Sequence, residues 1–240
     1  MMIRLNKFLS EAGICSRREA DRLIEEQRVT VDGELAITGM RITANQEIRL
    51  DDNLVRRQNR KVLLAFHKPV GVVCTTDKRW GDTTAEEIVN YPTRVFCVGR
   101  LDKESEGLLL MTNDGDMVNR IMRAGNYHEK EYEVMIDREV TNTFLKKLGA
   151  GGIPILEQQS RPCKVWKTGK RSFSIILTQG LNRQIRRMCQ YLGCKVVRLK
   201  RVRIMNIHLD NLKVGTVREI TGIEFETLMV LLKDSKSNPR

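Results

Sequence analysis

Residues 95–115 read VFCVGRLDKESEGLLLMTNDG, and this stretch decides how the chain can fold. The apolar runs VFCV and GLLLMT are typical of buried strands. The loop between them contains five ionisable side chains: Arg100, Asp102, Lys103, Glu104 and Glu106. A charged loop on a rigid sheet is a common place for chemistry, because a carboxylate beside Arg100 and Lys103 stays ionised and can act as a nucleophile. Many charged loops are only solvated turns, so this pattern alone leaves both interpretations open.

The sequence on either side predicts further strands and helices. Residues 61–68 predict a buried strand that ends at Pro69, residues 70–75 another extended piece, and residues 85–89 a helix. A later helix has apolar side chains at the i, i+3, i+4, i+7 spacing: Ile185, Met188, Cys189 and Leu192. Its other face is polar: Arg183, Arg186, Arg187 and Gln190. Gly193 predicts its end, and residues 195–203 predict a basic strand that either follows nucleic-acid phosphates or is simply exposed.

The first 52 residues predict a small domain of two helices and a sheet. The first helix shows the same apolar spacing and ends at Gly13: Leu5, Phe8, Leu9 and Ala12. Ser16 and Glu19 have the spacing of a capping box, which predicts where the second helix begins. An Asp-Gly turn predicts a hairpin within residues 29–36, and residues 48–50 predict another strand. The polar residues 53–61 predict a linker, residues 62–232 a second domain, and residues 233–240 a polar tail.

Charge is distributed very unevenly along the chain. The 240 residues include 42 lysines and arginines against 30 aspartates and glutamates, a net charge of +12. Residues 158–209 contain 13 of the basic residues and no acidic one. Such a block creates a local positive field, which favours a polyanion such as nucleic acid as partner. A solubilising basic face is the alternative, whereas a membrane surface is disfavoured because no basic amphipathic helix has a large aromatic face.

Membrane insertion, secretion and a zinc site are not expected. No apolar run reaches the roughly 18 residues that span a bilayer, and the first residues, MMIRLNKFLSEAG, lack the apolar core of a signal peptide. The six cysteines contain no C-x-x-C pair, and the three histidines lie far from them in sequence. The composition therefore predicts a cytoplasmic protein with reduced thiols and no bound metal.

Four segments resemble the motifs of one enzyme family. VGRLDKESEGLLLMTNDG is very similar to the catalytic motif of the RNA pseudouridine synthases of the RsuA family. Three further segments agree with that family in order and spacing: HKPVGVVCTT, HEKEYEV and TQGLNRQIRRMCQYLGCKVVRLKRVRI. The N-terminal segment RLNKFLSEAGICSRREADRLIEEQRVTVDGE resembles the alpha-L RNA-binding module of ribosomal protein S-four. This resemblance implies an α+β fold, with a small alpha-L (S-four-like) domain followed by a mixed, mainly antiparallel-sheet catalytic domain.

The resemblance also implies a reaction and three catalytic residues. Enzymes of this family break the N1 glycosidic bond of uridine and rejoin the base to the same ribose through C5, so no cofactor is expected. Asp102 would be the essential carboxylate. Tyr132 would stack on the flipped base and, in the glycal version of the mechanism, remove the ribose C2′ proton. Arg186 would orient Asp102 through a charge-assisted fork. The segments RAGNYHEKEY and CKV favour the subgroup that modifies large-subunit (23S) ribosomal RNA.

Ten basic residues are candidates for RNA contacts. Four lie in the N-terminal module: Lys7, Arg17, Arg18 and Arg22. Six lie near the motifs of the second domain: Arg100, Lys130, Arg183, Arg187, Lys200 and Arg201. The expected partner is ribosomal RNA, first 23S rRNA, with small-subunit rRNA or tRNA as alternatives, and the chain is expected to act as a monomer.

Two other classes of protein remain as alternatives. A non-catalytic RNA-binding ribosome factor with the same fold is disfavoured because Asp102 and Tyr132 are both present. A methyltransferase joined to an alpha-L module is disfavoured because no convincing glycine-rich cofactor loop follows a strand.

Overall fold

The structure is a computed structural model that describes residues 2–57, 60–75 and 81–235. In these ranges the helices are α1 (Leu5–Glu11), α2 (Arg17–Glu25), α3 (Ala85–Val89), α4 (Gly115–Met122), α5 (Asn142–Gly149), α6 (Gln184–Tyr191) and α7 (Gly222–Leu231). The strands are β1 (Ile3–Arg4), β2 (Val29–Val31), β3 (Glu34–Leu35), β4 (Arg41–Ile42), β5 (Ile48–Leu50), β6 (Asn53–Leu54), β7 (Leu63–Lys68), β8 (Phe96–Val98), β9 (Glu106–Thr112), β10 (Lys130–Ile136), β11 (Pro154–Ile155), β12 (Gln158–Gln159), β13 (Lys164–Gly169), β14 (Ser172–Leu177), β15 (Val196–Ile204), β16 (Ile207–His208) and β17 (Val217–Glu219).

The chain divides into two compact units. Unit 1 comprises Met1–Val62, Tyr91–Val95 and Asn113–Gly115, and unit 2 comprises Leu63–Asn90, Phe96–Thr112 and Asp116–Arg240. Unit 1 therefore includes two segments that the sequence pattern placed in the second domain. The side chain of Asn113 explains part of this, because it accepts a hydrogen bond from the backbone N–H of Val62 (2.9 Å) and donates one to the carbonyl of Arg60 (2.8 Å).

Unit 1 contains the two predicted helices and the predicted hairpin. The Oγ of Ser16 accepts a hydrogen bond from the backbone N–H of Glu19 (3.1 Å), so α2 begins where its cap predicts. Asp32 and Gly33 join β2 to β3 with positive φ angles, as an Asp-Gly hairpin turn requires. The sheet has the order β3-β2-β5-β6, and apolar side chains of β2, β5 and both helices form one core.

The start of the predicted linker belongs to the sheet of unit 1. Asn53–Leu54 forms β6, which pairs with β5, and Val55 is buried in the core of this unit. The prediction that residues 53–55 form a linker is therefore wrong. Asp51 and Asp52 both have positive φ and make the tight turn between the two strands. An Asp-Asp pair is a much weaker hairpin signal than Asn-Gly or Asp-Gly, so the sequence did not reveal it.

The strands of unit 2 form a mixed, mainly antiparallel sheet, as the family resemblance implies. Its order in the described residues is β13-β14-β10-β15-β9-β7-β17, with β16 paired to β15 and β8 to β9. The pairing of β9 with β15 is parallel, whereas the other pairings within the described part of this sheet are antiparallel. The parallel register aligns Glu106 with Lys200 and Gly107 with Arg201.

Two apolar cores support the two halves of this sheet. One core contains side chains from β7, β9, α4 and α7. The other contains side chains from β10, β14, α5 and α6. Strand β15 contributes to both cores, with Leu199 in the second and Ile204 in the first. The contact between β9 and β15 is thus the place where one half of the sheet joins the other.

The predicted buried strand before Pro69 and the later amphipathic helix are confirmed. Strand β7 is buried along its whole length, and α3 has the predicted bounds. Helix α6 buries three of the four residues of the predicted apolar stripe: Ile185, Met188 and Cys189. Gly193 follows it with φ 79°, the left-handed conformation that favours glycine after a helix.

Residues 70–75 do not form the predicted strand. In this segment Val73 makes an isolated bridge with Thr84, and Gly71 lies in a turn with φ 90°. The backbone N–H of Gly71 donates to the carbonyl of Lys103 (2.7 Å), so the segment folds over the charged loop instead of extending the sheet. No helix in the described ranges is long and apolar enough to cross a bilayer.

We expect Gly107→Ala to destabilise unit 2 by at least about 2 kcal/mol, because backbone strain and overpacking act together at this position. Gly107 has φ 110°, and a Cβ there would lie 2.3 Å from the carbonyl oxygen and 2.6 Å from the nitrogen of Arg201. Urea unfolding measures the difference. Gly152→Ala is the matched control, since Gly152 also has positive φ (74°) but no atom within 4 Å of the added Cβ. Equal stability of the two variants would contradict a close contact between β9 and β15.

Candidate active site

The charged loop of residues 99–105 lines a cavity of about 520 Å³ in unit 2. The other walls come from residues 73–75, from β10 and β15, and from residues 177–185, which lead into α6. Several predicted site residues line it together: Arg100, Asp102, Lys130, Tyr132, Arg183 and Arg201. Sequence segments that lie far apart in the chain therefore meet around one space, which is large enough for a nucleoside.

Arg186 lies beside Asp102 but does not form the predicted fork with it. Its Nε is 3.9 Å from Oδ2 of Asp102 and 3.6 Å from Oε2 of Glu104. Its Nη2 instead donates to the carbonyl of Glu104 (3.1 Å) and to Oγ of Ser105 (3.2 Å). The fork prediction is wrong because Nη2 binds the loop itself and Nη1 donates to the carbonyl of Val196 (3.4 Å). The Arg186 side chain is 13% exposed and that of Asp102 31%, so the two charges interact in a partly buried setting.

A buried lysine that was not predicted as a site residue holds the loop through hydrogen bonds to backbone carbonyls. Lys68 is fully buried at the end of β7, and its Nζ donates to the carbonyls of Ser105 (2.8 Å) and Pro69 (2.7 Å). Burial lowers the pKa of Lys68, and the nearby Asp102 charge opposes that change. The sequence signal for this role of Lys68 is its position at the end of a mostly apolar strand.

A thiol supports the same loop from the side of residues 73–75. The Sγ of Cys74 accepts a hydrogen bond from the backbone N–H of Leu101 (3.4 Å). A hydrogen bond with the thiol of Cys97 lowers the pKa of Cys74 to about 6. All six cysteines of the chain are free thiols. The position of Asp102 is thus determined by contacts from Lys68, Cys74 and Arg186 to its own loop.

Tyr132, Lys130 and Arg201 share one face of the sheet. Lys130 and Tyr132 are two residues apart in β10, and Tyr132 is the register partner of Arg201 in β15. Lys130 is 4% exposed and Arg201 is 1% exposed. Burial, with the charge of Arg201 as a second cause, lowers the pKa of Lys130 to about 8. Nε of Arg201 donates to the carbonyl of Leu108 (2.7 Å), which attaches β15 to β9.

The predicted RNA-contacting residues fall into two groups. Lys130 and Arg201 are buried in the cavity wall, so Arg201 is not an exposed residue of the predicted basic strand, and RNA contact by the two residues stays a prediction. Their strands direct alternate side chains inward, and both residues occupy inward positions. The others are exposed or half-buried: Lys7, Arg17, Arg18, Arg22, Arg100, Arg183, Arg187 and Lys200.

Some of these cations already have protein partners. Lys7 pairs with Glu11 (3.4 Å), Arg22 pairs with Glu19, and Arg183 pairs with Glu104 (2.9 Å). The bond from Arg183 lowers the pKa of Glu104. Because the pairs of Arg22 and Arg183 lie at the surface, exchange of their carboxylate partners for a phosphate has a small energetic cost.

Comparison with known proteins gives the same two-part division. The RNA pseudouridylate synthase family matches residues 62–191, and the S4 domain family matches residues 3–48. The dual-specificity RNA pseudouridine synthase RluF of Salmonella typhi is 46% identical over 99% of this chain and 82% of its own length. Ribosomal large subunit pseudouridine synthase B of Bacillus subtilis is 33% identical over 98% of this chain and 99% of its own.

A solved structure supports the fold over the same length. A crystal structure of a pseudouridylate synthase matches with a TM-score of 0.68 and 28% identity, over 96% of this chain and 99% of its own. The match includes both the N-terminal module and the sheet that surrounds the cavity. The chain therefore belongs to the RNA pseudouridine synthase family and has an S4 domain at its N-terminus.

Proposed function

We propose that this protein converts a specific uridine of 23S ribosomal RNA into pseudouridine, with Asp102 as the essential catalytic carboxylate. The observation that supports this most strongly is the cavity in which Asp102, held beside Arg186, and Tyr132 face one nucleoside-sized space. The name of one relative, ribosomal large subunit pseudouridine synthase B, points to large-subunit ribosomal RNA. Because another relative is named a dual-specificity RNA pseudouridine synthase, we include a second RNA substrate, with tRNA as our own candidate.

The residues at the cavity fit the chemistry of the isomerisation. The N1–C1′ bond of uridine must break, and the C5–C1′ bond must form, without loss of the base. Asp102 can attack the nucleotide or stabilise positive charge that develops at C1′, as a carboxylate does in glycoside hydrolysis. Tyr132 can stack on the flipped base, and its hydroxyl oxygen can accept the ribose C2′ proton and return it to C2′ once the C5–C1′ bond has formed. Arg186 acts on the loop, since its Nη2 binds the carbonyl of Glu104 and the Oγ of Ser105.

RNA outside the cavity is expected to bind to the basic surfaces of both units. Arg17 and Arg18 are exposed at the start of α2, where they suit contacts to RNA phosphates. Residues 158–209 have 13 basic side chains and no acidic one, which supplies attraction around the cavity. We place this activity in the cytoplasm, and we propose that one chain suffices for it.

Release of tritium from uridine C5 tests the proposed function directly. The full chain is incubated without added cofactor with transcripts of 23S rRNA, 16S rRNA and tRNA that carry tritium at uridine C5. We expect about one equivalent of tritium to enter water from the 23S transcript. Release only from 16S rRNA or tRNA would contradict the substrate, and no release from any of the three would contradict the activity.

Asp102→Asn should reduce tritium release to background. The amide is nearly isosteric with the carboxylate, but it cannot act as a nucleophile or stabilise a cationic C1′. RNA affinity should change by less than about tenfold, or 1.4 kcal/mol. Asp210→Asn is the matched control, because Asp210 is exposed, does not line the cavity and has a positive φ that asparagine tolerates. Robust release from the Asp102 variant would refute the catalytic role.

Tyr132→Phe should separate binding from turnover. The ring remains, so stacking on a base, worth about 1 to 3 kcal/mol in single-strand binders, should persist and RNA affinity should stay near that of the wild type. The hydroxyl is lost, so turnover should collapse if it relays the C2′ proton. Single-turnover kinetics with substrate deuterated at ribose C2′ checks this step. Near-normal turnover would assign Tyr132 to packing and the proton transfer to another group.

Arg17→Gln combined with Arg18→Gln should weaken RNA binding and its dependence on salt. Deleting the whole module is a poor test, because residues 91–95 and 113–115 belong to the same compact unit. The slope of log K against log salt should become shallower by about 0.7 to 0.9 for each lost phosphate contact. Arg28→Gln is the matched control, since Arg28 is bound to Asp51 in the same unit. An unchanged slope in the double variant would mean that α2 does not dock RNA.

A further inference from the structure

The floor of the cavity contains two buried cations on one sheet face. We call Lys130 and Arg201 the cationic floor. Lys130 lies two residues before Tyr132 in β10, and Arg201 is the register partner of Tyr132 in β15. All three side chains line the cavity. A base that stacks on Tyr132 would therefore lie against both positive charges.

Neither charge of the cationic floor is paired with a carboxylate within the part of the chain that the structure describes. Lys130 and Arg201 form no ion pair with a carboxylate among residues 2–57, 60–75 and 81–235. Nη2 of Arg201 is buried without a hydrogen-bond partner in the same ranges. Nζ of Lys130 makes one long hydrogen bond, to the carbonyl of His128 (3.4 Å). Buried charges without partners are costly, so this arrangement favours an anion that enters from the cavity.

Lys68 shows what a buried cation with a purely structural role looks like here. Its Nζ donates to two carbonyl oxygens at 2.7 and 2.8 Å, and both belong to the chain segments that it joins. Within the described residues, neither Lys130 nor Arg201 donates two short hydrogen bonds of this kind. Both residues of the cationic floor line the same space as Asp102 and Tyr132, whereas Lys68 does not, which distinguishes the two residues from Lys68.

We propose that Lys130 and Arg201 bind the detached uracil as an anion and hold it until C5 is joined to the ribose. This inference rests on the proposed function. When the N1–C1′ bond breaks, its electron pair stays on N1, so the base becomes uracilate and C1′ becomes electron-deficient. After the base turns, C5 donates an electron pair to C1′. The C5 proton then leaves to solvent and N1 takes up a proton, so the net change is an isomerisation.

The cavity thereby offers a charge of opposite sign to each fragment of the broken bond. Asp102 stabilises the cationic sugar, and the cationic floor stabilises the anionic base. Each charge works in a partly or fully buried setting, where electrostatic interactions are stronger than in water. Retention of the base follows from the same attraction, because uracilate bound to two buried cations leaves the cavity slowly.

Affinity for free pyrimidines tests the inference without any turnover. Barbiturate is a planar pyrimidine anion at neutral pH, whereas uracil is neutral, and calorimetry on the full chain compares the two. The wild type should bind barbiturate about ten- to hundredfold more tightly than uracil, the effect of one charged hydrogen bond. Lys130→Met should remove most of that preference. Lys146→Met, which removes an exposed charge of α5 outside the cavity, should keep it.

A kinetic measurement adds a second criterion. Lys130→Met should lower kcat in the tritium assay with KM for RNA little changed, and Lys130→Arg should restore much of it. Methionine suits the buried site sterically, and a melting curve checks that the variant is folded. Equal affinity of the wild type for the two pyrimidines, no detectable barbiturate binding, or an unchanged preference in folded Lys130→Met would overturn the inference. Failure of the proposed function would show differently, as wild-type protein that releases no tritium.

Discussion

The parallel pairing of β9 with β15 is the contact on which the rest of the catalytic unit depends. It joins two half-sheets that have separate apolar cores. The backbones approach so closely that the position opposite Arg201 has room for glycine alone. Because β9 follows the Asp102 loop and β15 follows α6, this one pairing brings the carboxylate to Arg186 and Tyr132. The cavity is a product of that junction, and neither half-sheet contains it alone.

The distribution of buried charge explains how the site stays organised. Arg186 uses its Nη2 to bind the Glu104 carbonyl and the Ser105 hydroxyl of the loop, and its Nε faces two carboxylates. Lys68 donates to two carbonyls, so it positions the loop, and its charge also interacts with that of Asp102. The remaining buried cations, Lys130 and Arg201, line the cavity and have fewer hydrogen-bond partners. The structural charge of Lys68 and the cavity-lining charges thus differ in their hydrogen-bond partners.

Periodicity and local turn chemistry made much of the fold predictable. The apolar stripe of α6, the Ser16 cap and the Asp32-Gly33 turn each depend on near neighbours in sequence, and each was predicted. Features that depend on tertiary contacts were not predicted. β15 contains basic residues at both inward and outward positions, so the burial of Arg201 could not be inferred from spacing. The family motifs indicated Asp102, Tyr132 and Arg186, but the loop-binding role of Arg186 is visible only when α6 is seen against the loop.

The long sequence separation across the β9 and β15 junction governs when a newly synthesised chain can become active. Arg186 and the loop carbonyl of Glu104 are 82 residues apart, and β15 follows Arg186. During translation the Asp102 loop leaves the ribosome well before its partners exist, and such non-local pairing is slow to form. The nascent polypeptide therefore exposes an incomplete half-site until β15 has emerged. We therefore expect the chain to become active in one late step of its synthesis and folding, after β15 has paired with β9.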